Sequence, residues 1–324
     1  MSTAYEKNMY SQARKNIVRT WIIVICFFAV ITVIGYAFAV VYNDISLVVI
    51  AIMGAMVSNV SGYFFSEKIA LSSAGAVPAD PKNPQHLRLI RTAENMAITA
   101  GIPTPKVHVI KDQAPNAFAT GRNPANASVA FTTGIMELLD NNELEGVMAH
   151  ELSHIKNRDI LVGTIVVIMI GFIALLSEIF MRTGLGNTRR SEGGPATGVI
   201  VIVVMVFAVL SPIVGKLIQT AVSRKREYLA DASGALLTRY PEGLASALAK
   251  INGHAMPMRK TSQATSHLFI ANPFGKKGSV GKFISNLFST HPPMEDRVEA
   301  LLGEAMKNEM LGIDERSGET VDKP

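Results

Sequence analysis

The chain has 324 residues, enough for one large or two ordinary domains. Only 18% are charged and 48% are hydrophobic, with mean hydropathy +0.27, against roughly 25% charged in typical soluble domains. That apolar content excludes a disordered chain, and the single cysteine, Cys26, excludes an internal disulfide framework and any cysteine cluster for zinc or iron–sulfur. Much of the net charge of +5 sits beside apolar runs, as Arg14, Lys15 and Arg19 before the first and Arg224, Lys225 and Arg226 after the last. There it reads as membrane-flanking charge, not as a nucleic-acid surface.

No charged residue lies between Arg19 and Asp44, and none between Asp44 and Glu67. A membrane helix needs about 20 mostly apolar residues, so both stretches are predicted to span, joined by a turn at Tyr42-Asn43-Asp44. Residues 86–100 place Leu87, Ile90, Ala93, Met96 and Ala97 at helical spacing, with Gly101 as a stop. Strand-like runs follow at Lys106–Ile110, Asn116–Ala119 and Ala127–Phe131, punctuated by Pro and Gly. A helix is predicted over Gly134–Leu139 and another from about Asn141. Two further apolar runs, Ile160–Met181 and Gly198–Gly215, make a second hairpin, although a buried soluble pair would look similar.

The predicted class is therefore α+β and mainly helical. Four transmembrane helices form two hairpins, beside a water-exposed catalytic domain with a small sheet. The segments are 1–66, 67–159, 160–216 and 217–324, the last ending in a loose polar tail from about 303. Lys7, Arg14, Lys15 and Arg19 before the first span place the N terminus, and with it 67–159 and 217–324, in the cytoplasm. Arg182, Arg189 and Arg190 in the second hairpin's loop run against that rule.

Residues 150–154 read His-Glu-Leu-Ser-His. On a helix, positions i and i+4 share one face, so His150 and His154 can bind one metal ion while Glu151 reaches a water molecule as general base. A pair of surface histidines on an amphipathic helix is the plain alternative. Catalytic zinc takes three protein ligands, and Glu227 is the best candidate for the third. Asp231, four residues on, could accept a hydrogen bond from the far nitrogen of a ligating histidine. Alternatively Arg224, Lys225, Arg226, Glu227 and Asp231 form a solvated charged face. The two halves of the candidate site flank the second hairpin, whose even number of crossings returns both to one side of the membrane.

His150–His154, then Asn157-Arg-Asp159, then Arg226-Glu-Tyr-Leu-Ala-Asp231 resemble the HtpX-type membrane zinc metalloproteases, relatives of the CAAX prenyl endoproteases. Asn116-Ala-Phe-Ala-Thr-Gly121, Thr290-His-Pro-Pro293 and Arg297 extend the resemblance, which runs from about residue 15 to 302. It implies a gluzincin-like (zincin) catalytic domain on the cytoplasmic face of the plasma membrane. It implies one zinc ion (Zn2+) per chain, held by His150, His154 and Glu227, with Glu151 as base. The substrates it implies are misfolded or damaged membrane proteins degraded under stress. It also implies that Asn116, Ala117, Phe118 and Ala119 pair with an extended substrate by β-augmentation, and that His291 stabilises the oxyanion or is structural.

Three rivals remain distinguishable. An intramembrane metalloprotease would bury its His-Glu-x-x-His in an apolar helix, yet Glu143, Glu145, Lys156, Arg158 and Asp159 crowd this one. A CAAX protease has more spans. A membrane scaffold with a vestigial metal site would not cleave. The expected partners are the lipid bilayer and protein substrates, with no nucleic acid and no nucleotide. Gly275–Lys282 matches a phosphate loop in composition only, its glycine spacing being wrong and Phe283 standing where Ser or Thr would hold magnesium.

Overall fold

The computed structural model describes residues 2–163, 165–166, 169, 224–260, 265–275 and 292–303. Nearly all of the second predicted hairpin, together with His291 and the tail, lies outside them.

Two long helices come first. α1 (Ser2–Tyr42) and α2 (Ser46–Ser73) fold back on each other through Asn43, at φ +51°, and Asp44, whose carboxylate accepts the N–H of Ser46. Each holds a stretch long and apolar enough to cross a membrane, Arg14–Val33 and Ser46–Phe65. Two of the four predicted spans are thus found among the described residues. Trp21, Ile25, Val49, Ile50 and Val57 point outward, as lipid-facing side chains do, and Cys26 is exposed beside them. The helices touch where Gly35 meets Ala51; a Cβ on Gly35 would lie 2.7 Å from that of Ala51.

α2 does not stop where its apolar run stops. It continues past 66 because Glu67, at the first turn beyond, is held by the Lys106 ammonium (3.0 Å) and the Ser128 hydroxyl (2.7 Å). The last turns then bury Ala70, Leu71 and Ala74 against the catalytic part.

A small mixed sheet follows, in the order β1-β2-β4-β3. β2 (Lys106–Ile110) pairs parallel with β4 (Asn126–Thr132), which pairs antiparallel with β3 (Ala117–Asn123). The three residues of β1 (Ala76–Pro78), not anticipated from the sequence, add an antiparallel edge on β2. β3 begins one residue after Asn116 and runs four beyond Ala119, so the predicted strand is its first half. α3 (Pro84–Ala100) starts on an Asn83 cap and ends at Gly101 in the left-handed conformation, as the sequence suggests.

Both faces of the sheet are covered, which is why its strands are apolar at odd and even positions alike. Val109, Ala119, Val129 and Phe131 pack with Leu89 and Ala93 of α3 and with the next helices. These are α5 (Asn141–Lys156), reached through α4 (Thr133–Leu138), α6 (Arg224–Thr238), α7 (Pro241–Gly253) and α8 (Met294–Leu302). Ile110, Phe118 and Ala130 face the base of α2 and Phe269, whose ring meets Phe118 edge-on at 4.9 Å. The described chain is mostly helical with one small mixed sheet.

Candidate metal centre

α5 carries the His-Glu-x-x-His residues, and its start is firmly set. Asp140 accepts the N–H of Glu143 (3.0 Å) while Glu143 accepts that of Asp140 (2.9 Å), a reciprocal capping box. Glu143 also takes the Ser246 hydroxyl (2.6 Å) and the Lys250 ammonium (2.7 Å), tying α5 to α7. From Glu143 to Ile155 the helix is buried nearly all round. Against its centre lies α6, close enough that a Cβ on Gly234 would sit 3.1 Å from the backbone nitrogen of His150. That approach carries Glu227, two turns earlier on α6, toward both histidines.

The three predicted ligands meet. His150 Nε2 and His154 Nε2 are 3.2 Å apart, and each lies 3.7 Å from a Glu227 carboxylate oxygen. Zinc bonds of about 2.0–2.1 Å to N and O in a tetrahedron place ligand atoms about 3.3 Å apart. The observed spacing therefore fits a zinc ion, and the three form the metal-binding group found among the described residues.

Each imidazole is also held from behind. His150 Nδ1 lies 2.9 Å from Asp231 Oδ1, and His154 Nδ1 lies 3.0 Å from Asp159 Oδ2. With Nδ1–H donated to a carboxylate, the lone pair is left on Nε2, on the side where the ligands converge. Asp231 is gripped in turn by Arg297 of α8, through Nε to Oδ2 at 2.8 Å and Nη2 to Oδ1 at 2.6 Å. Arg297 is fully buried.

These contacts set the protonation of the metal-free site. Burial pushes the Asp231 carboxyl up, but the Arg297 charge and hydrogen bonds, with His150 behind them, hold it far below the usual carboxylate range. Burial takes His150 down to about 4 despite Asp231. His154 goes the other way, to about 9: its burial is outweighed by the charge of Glu227 and then by Asp159.

A cavity opens on the centre, lined by Glu151, His154 and Glu227 together with Ala119 of β3 and His267. Glu151 is buried at its edge. Of the predicted substrate strand only Ala119 reaches this cavity. The Asn116 amide instead bonds both backbone groups of Ala271 (2.9 and 3.1 Å), the Ala117 carbonyl accepts the Ile270 N–H (2.9 Å), and Phe118 packs on Phe269. Three groups at the centre were given no role there from the sequence. Asp159 had a signal, an acidic residue just past the histidine helix. Arg297 stood only within a family motif. His267, whose ring bonds the Gly163 carbonyl (3.2 Å), had none.

Residues 83–305 match the family model of peptidase family M48. A protein named "Protease HtpX homolog" from Caldanaerobacter subterraneus subsp. tengcongensis is 42% identical over 301 residues, covering 91% of this chain and 98% of its own length. Another of that name, from Tropheryma whipplei, is 48% identical over 240 residues, 74% of this chain and 79% of its own. Among solved structures, the crystal structure of S. mikatae Ste24p matches with a TM-score of 0.48 at 19% identity. The match covers 88% of this chain and 67% of that one.

Proposed function

Because this chain belongs to peptidase family M48, a family of zinc-dependent metalloproteases, and is thus a membrane-associated metallopeptidase, we propose a specific role for it. It is an endopeptidase anchored in the plasma membrane that hydrolyses misfolded or damaged membrane proteins on the cytoplasmic side. One zinc ion per chain is held by His150, His154 and Glu227. The observation that carries the reading is the convergence of two Nε2 atoms and a carboxylate at 3.2–3.7 Å.

When bound, zinc supplies Lewis acidity, polarising the scissile carbonyl and bringing the pKa of a water molecule to about 7. The chain's own groups do the rest. Asp231 and Asp159 keep the imidazoles in the ligating tautomer. Glu151, beside His150 on α5 and in the cavity wall, takes the proton from the attacking water and returns it to the leaving amine. The β3 edge at Ala119 offers backbone groups to an extended substrate, whatever its side chains. His291 is assigned to the oxyanion on the resemblance alone.

The cytoplasmic placement is supported by where the hairpin meets the catalytic part. The N-terminal end of α1, rich in Lys and Arg, and the C-terminal end of α2 both abut it. Residues 67–159 and 217–324 then form one domain interrupted by the second hairpin.

The test is casein cleavage by the full-length, detergent-purified protein after metal stripping, with and without zinc, beside Glu151→Gln. Zinc is expected to restore cleavage to the natural sequence alone. Cleavage by zinc-loaded Glu151→Gln refutes the role of Glu151, and zinc binding without cleavage of casein or of native membrane proteins refutes the endopeptidase reading.

A further inference from the structure

The buried face of α1 follows positions 16, 20, 23, 27, 31, 35 and 39, a helical stripe of Asn, Thr, Ile, Phe, Ile, Gly and Ala. Its two polar members sit at the N-terminal end. Thr20 turns its hydroxyl back to the Asn16 carbonyl (2.9 Å), a local bond within the helix. Asn16 does something different. It is fully buried, and its side-chain Nδ2 donates across 141 residues of sequence to the Asn157 carbonyl (2.9 Å), and also to Asp159 Oδ1 (2.6 Å). Both partners are oxygens, so only the N–H end of the amide can serve them.

Those acceptors flank Arg158, which has φ +61°, a left-handed conformation that residues with a side chain rarely adopt. α5 ends just before it. The turn brings Asp159 back beneath the helix it has left, where Oδ2 meets His154 Nδ1 at 3.0 Å. A carboxylate that bonds an imidazole through one oxygen is free to swivel unless its other oxygen is fixed. Here the short contact on Oδ1 is that of Asn16; the Arg226 guanidinium stands farther off, at 3.7 Å.

We infer that Asn16 is a positioning residue for the metal centre. From the first membrane helix, it clamps the turn at Arg158 and fixes one oxygen of Asp159, so that the other holds His154 for ligation. α1 is then part of the site's framework as well as an anchor, and the geometry of the centre depends on how that helix is seated. Polar side chains near or within membrane helices commonly have such specific partners. The inference rests on His154 being a zinc ligand.

The experiment measures zinc affinity of the full-length protein in detergent by competition with a chromogenic chelator, a readout independent of proteolysis. The variants are Asn16→Leu, Asp159→Asn, the double variant, Ile23→Ala and His154→Ala. Loss of an outer partner of a metal ligand commonly weakens binding about 10–100-fold, and that is expected of Asn16→Leu and of Asp159→Asn. Since Asn16 acts through Asp159, the double variant is expected to be no worse than Asp159→Asn alone. Ile23→Ala, which loosens the same helix face without touching the clamp, is expected to keep natural affinity. Should Asn16→Leu fail to fold, Asn16→Asp, which keeps the shape but replaces the donor with an acceptor, carries the same expectation.

Affinity within twofold of natural in the Asn16 variant overturns the inference. So does a double variant that multiplies the two losses, or an equal loss in Ile23→Ala. Unchanged affinity in His154→Ala overturns the metal-site reading itself, and this inference with it; a loss there with none at Asn16 overturns this inference alone.

Discussion

Replacing Asp231 by Asn tests the charge logic of the centre most directly. The Arg297 guanidinium has no exposure to solvent and spends two donors on Asp231, at 2.8 and 2.6 Å. Asn has almost the same shape, but it has one oxygen to offer two cationic donors and His150. Its NH2 group must oppose a donor, and the buried Arg297 charge loses the carboxylate that it is hydrogen-bonded to, keeping only the more distant charges of Glu227 and Glu151. Breaking a buried pair in this way costs about 3–5 kcal/mol. At about 2–4 °C per kcal/mol for a folded unit of some 150–250 residues, the apparent melting temperature is expected to fall by about 6–20 °C. The assay is thermal unfolding of metal-stripped, full-length protein in detergent, all variants at one scan rate, so that neither zinc linkage nor irreversibility enters the comparison. Asp231→Asn/Arg297→Met removes both charges and is expected to recover most of the loss. A drop of less than about 2 °C in the single variant refutes the reasoning, as does a double variant that melts below it. The Asp231 carboxyl is held below its unfolded value, so the stabilisation is present above about pH 4, where the unfolded group ionises, and is lost only as pH falls toward the depressed folded value. The difference between natural and variant protein is therefore expected to stay constant from pH 5 to 8.

His154, at about 9 in the metal-free fold, is raised above its ordinary 6.5; its charged form contributes stability fully below about pH 6.5, and this fades as pH rises through 9. Ligation needs the neutral ring, so zinc binding is expected to release this proton and to tighten about tenfold per pH unit between about 6.5 and 9; a flat profile in chelator competition refutes it. Glu227→Ala removes the proposed anionic ligand and is expected to abolish stoichiometric zinc in the purified protein; undiminished zinc by elemental analysis places the third ligand elsewhere. Gly134 lies directly against the Gln113 backbone, so that a Cβ there would collide with the Gln113 carbonyl oxygen. Gly134→Ala is therefore expected to cost about 1–3 kcal/mol in thermal unfolding, and an unchanged melting temperature refutes that packing.

What could be read from sequence was what repeats over a few residues. The alternation and punctuation around Lys106–Ile110 locate β2 to the residue, and the stop at Gly101 ends α3 where predicted. The i, i+4 spacing alone places His150 and His154 on one face. Apolar run length located the first hairpin but misjudged α2, because such a run measures the membrane and not the helix. Glu67 ends the run, yet Lys106 and Ser128 let the helix carry on to Ser73. β1 is too short for any periodicity. Asn116–Phe118 read as a strand open to substrate, whereas tertiary structure gives their groups to residues 269–271. Asn16 was invisible in kind: beside Arg14, Lys15 and Arg19 it resembles one more interfacial residue, and its partners lie over 140 positions away.

The same charges that hide in the sequence as a solvated face explain why the centre suits a divalent ion. Around the two histidines the described buried groups include four carboxylates, Glu151, Asp159, Glu227 and Asp231, and two guanidiniums, Arg226 and Arg297. Counted at their formal charges, four carboxylates against two guanidiniums leave an excess of two, where each uncompensated charge costs several kcal/mol. The metal-free fold answers in part by keeping a proton on His154, drawn there chiefly by Glu227. A dication at the meeting point of His150, His154 and Glu227 would balance the formal excess and displace that proton. The donor set narrows the choice further. Two imidazoles with one carboxylate and no thiolate are poor ligands for calcium or magnesium, which prefer oxygen, and are suited to zinc. Charge excess favours a divalent ion and the donor set disfavours calcium and magnesium, so the arginines that look like surface decoration in the sequence belong to the same cluster as the residues they stand behind.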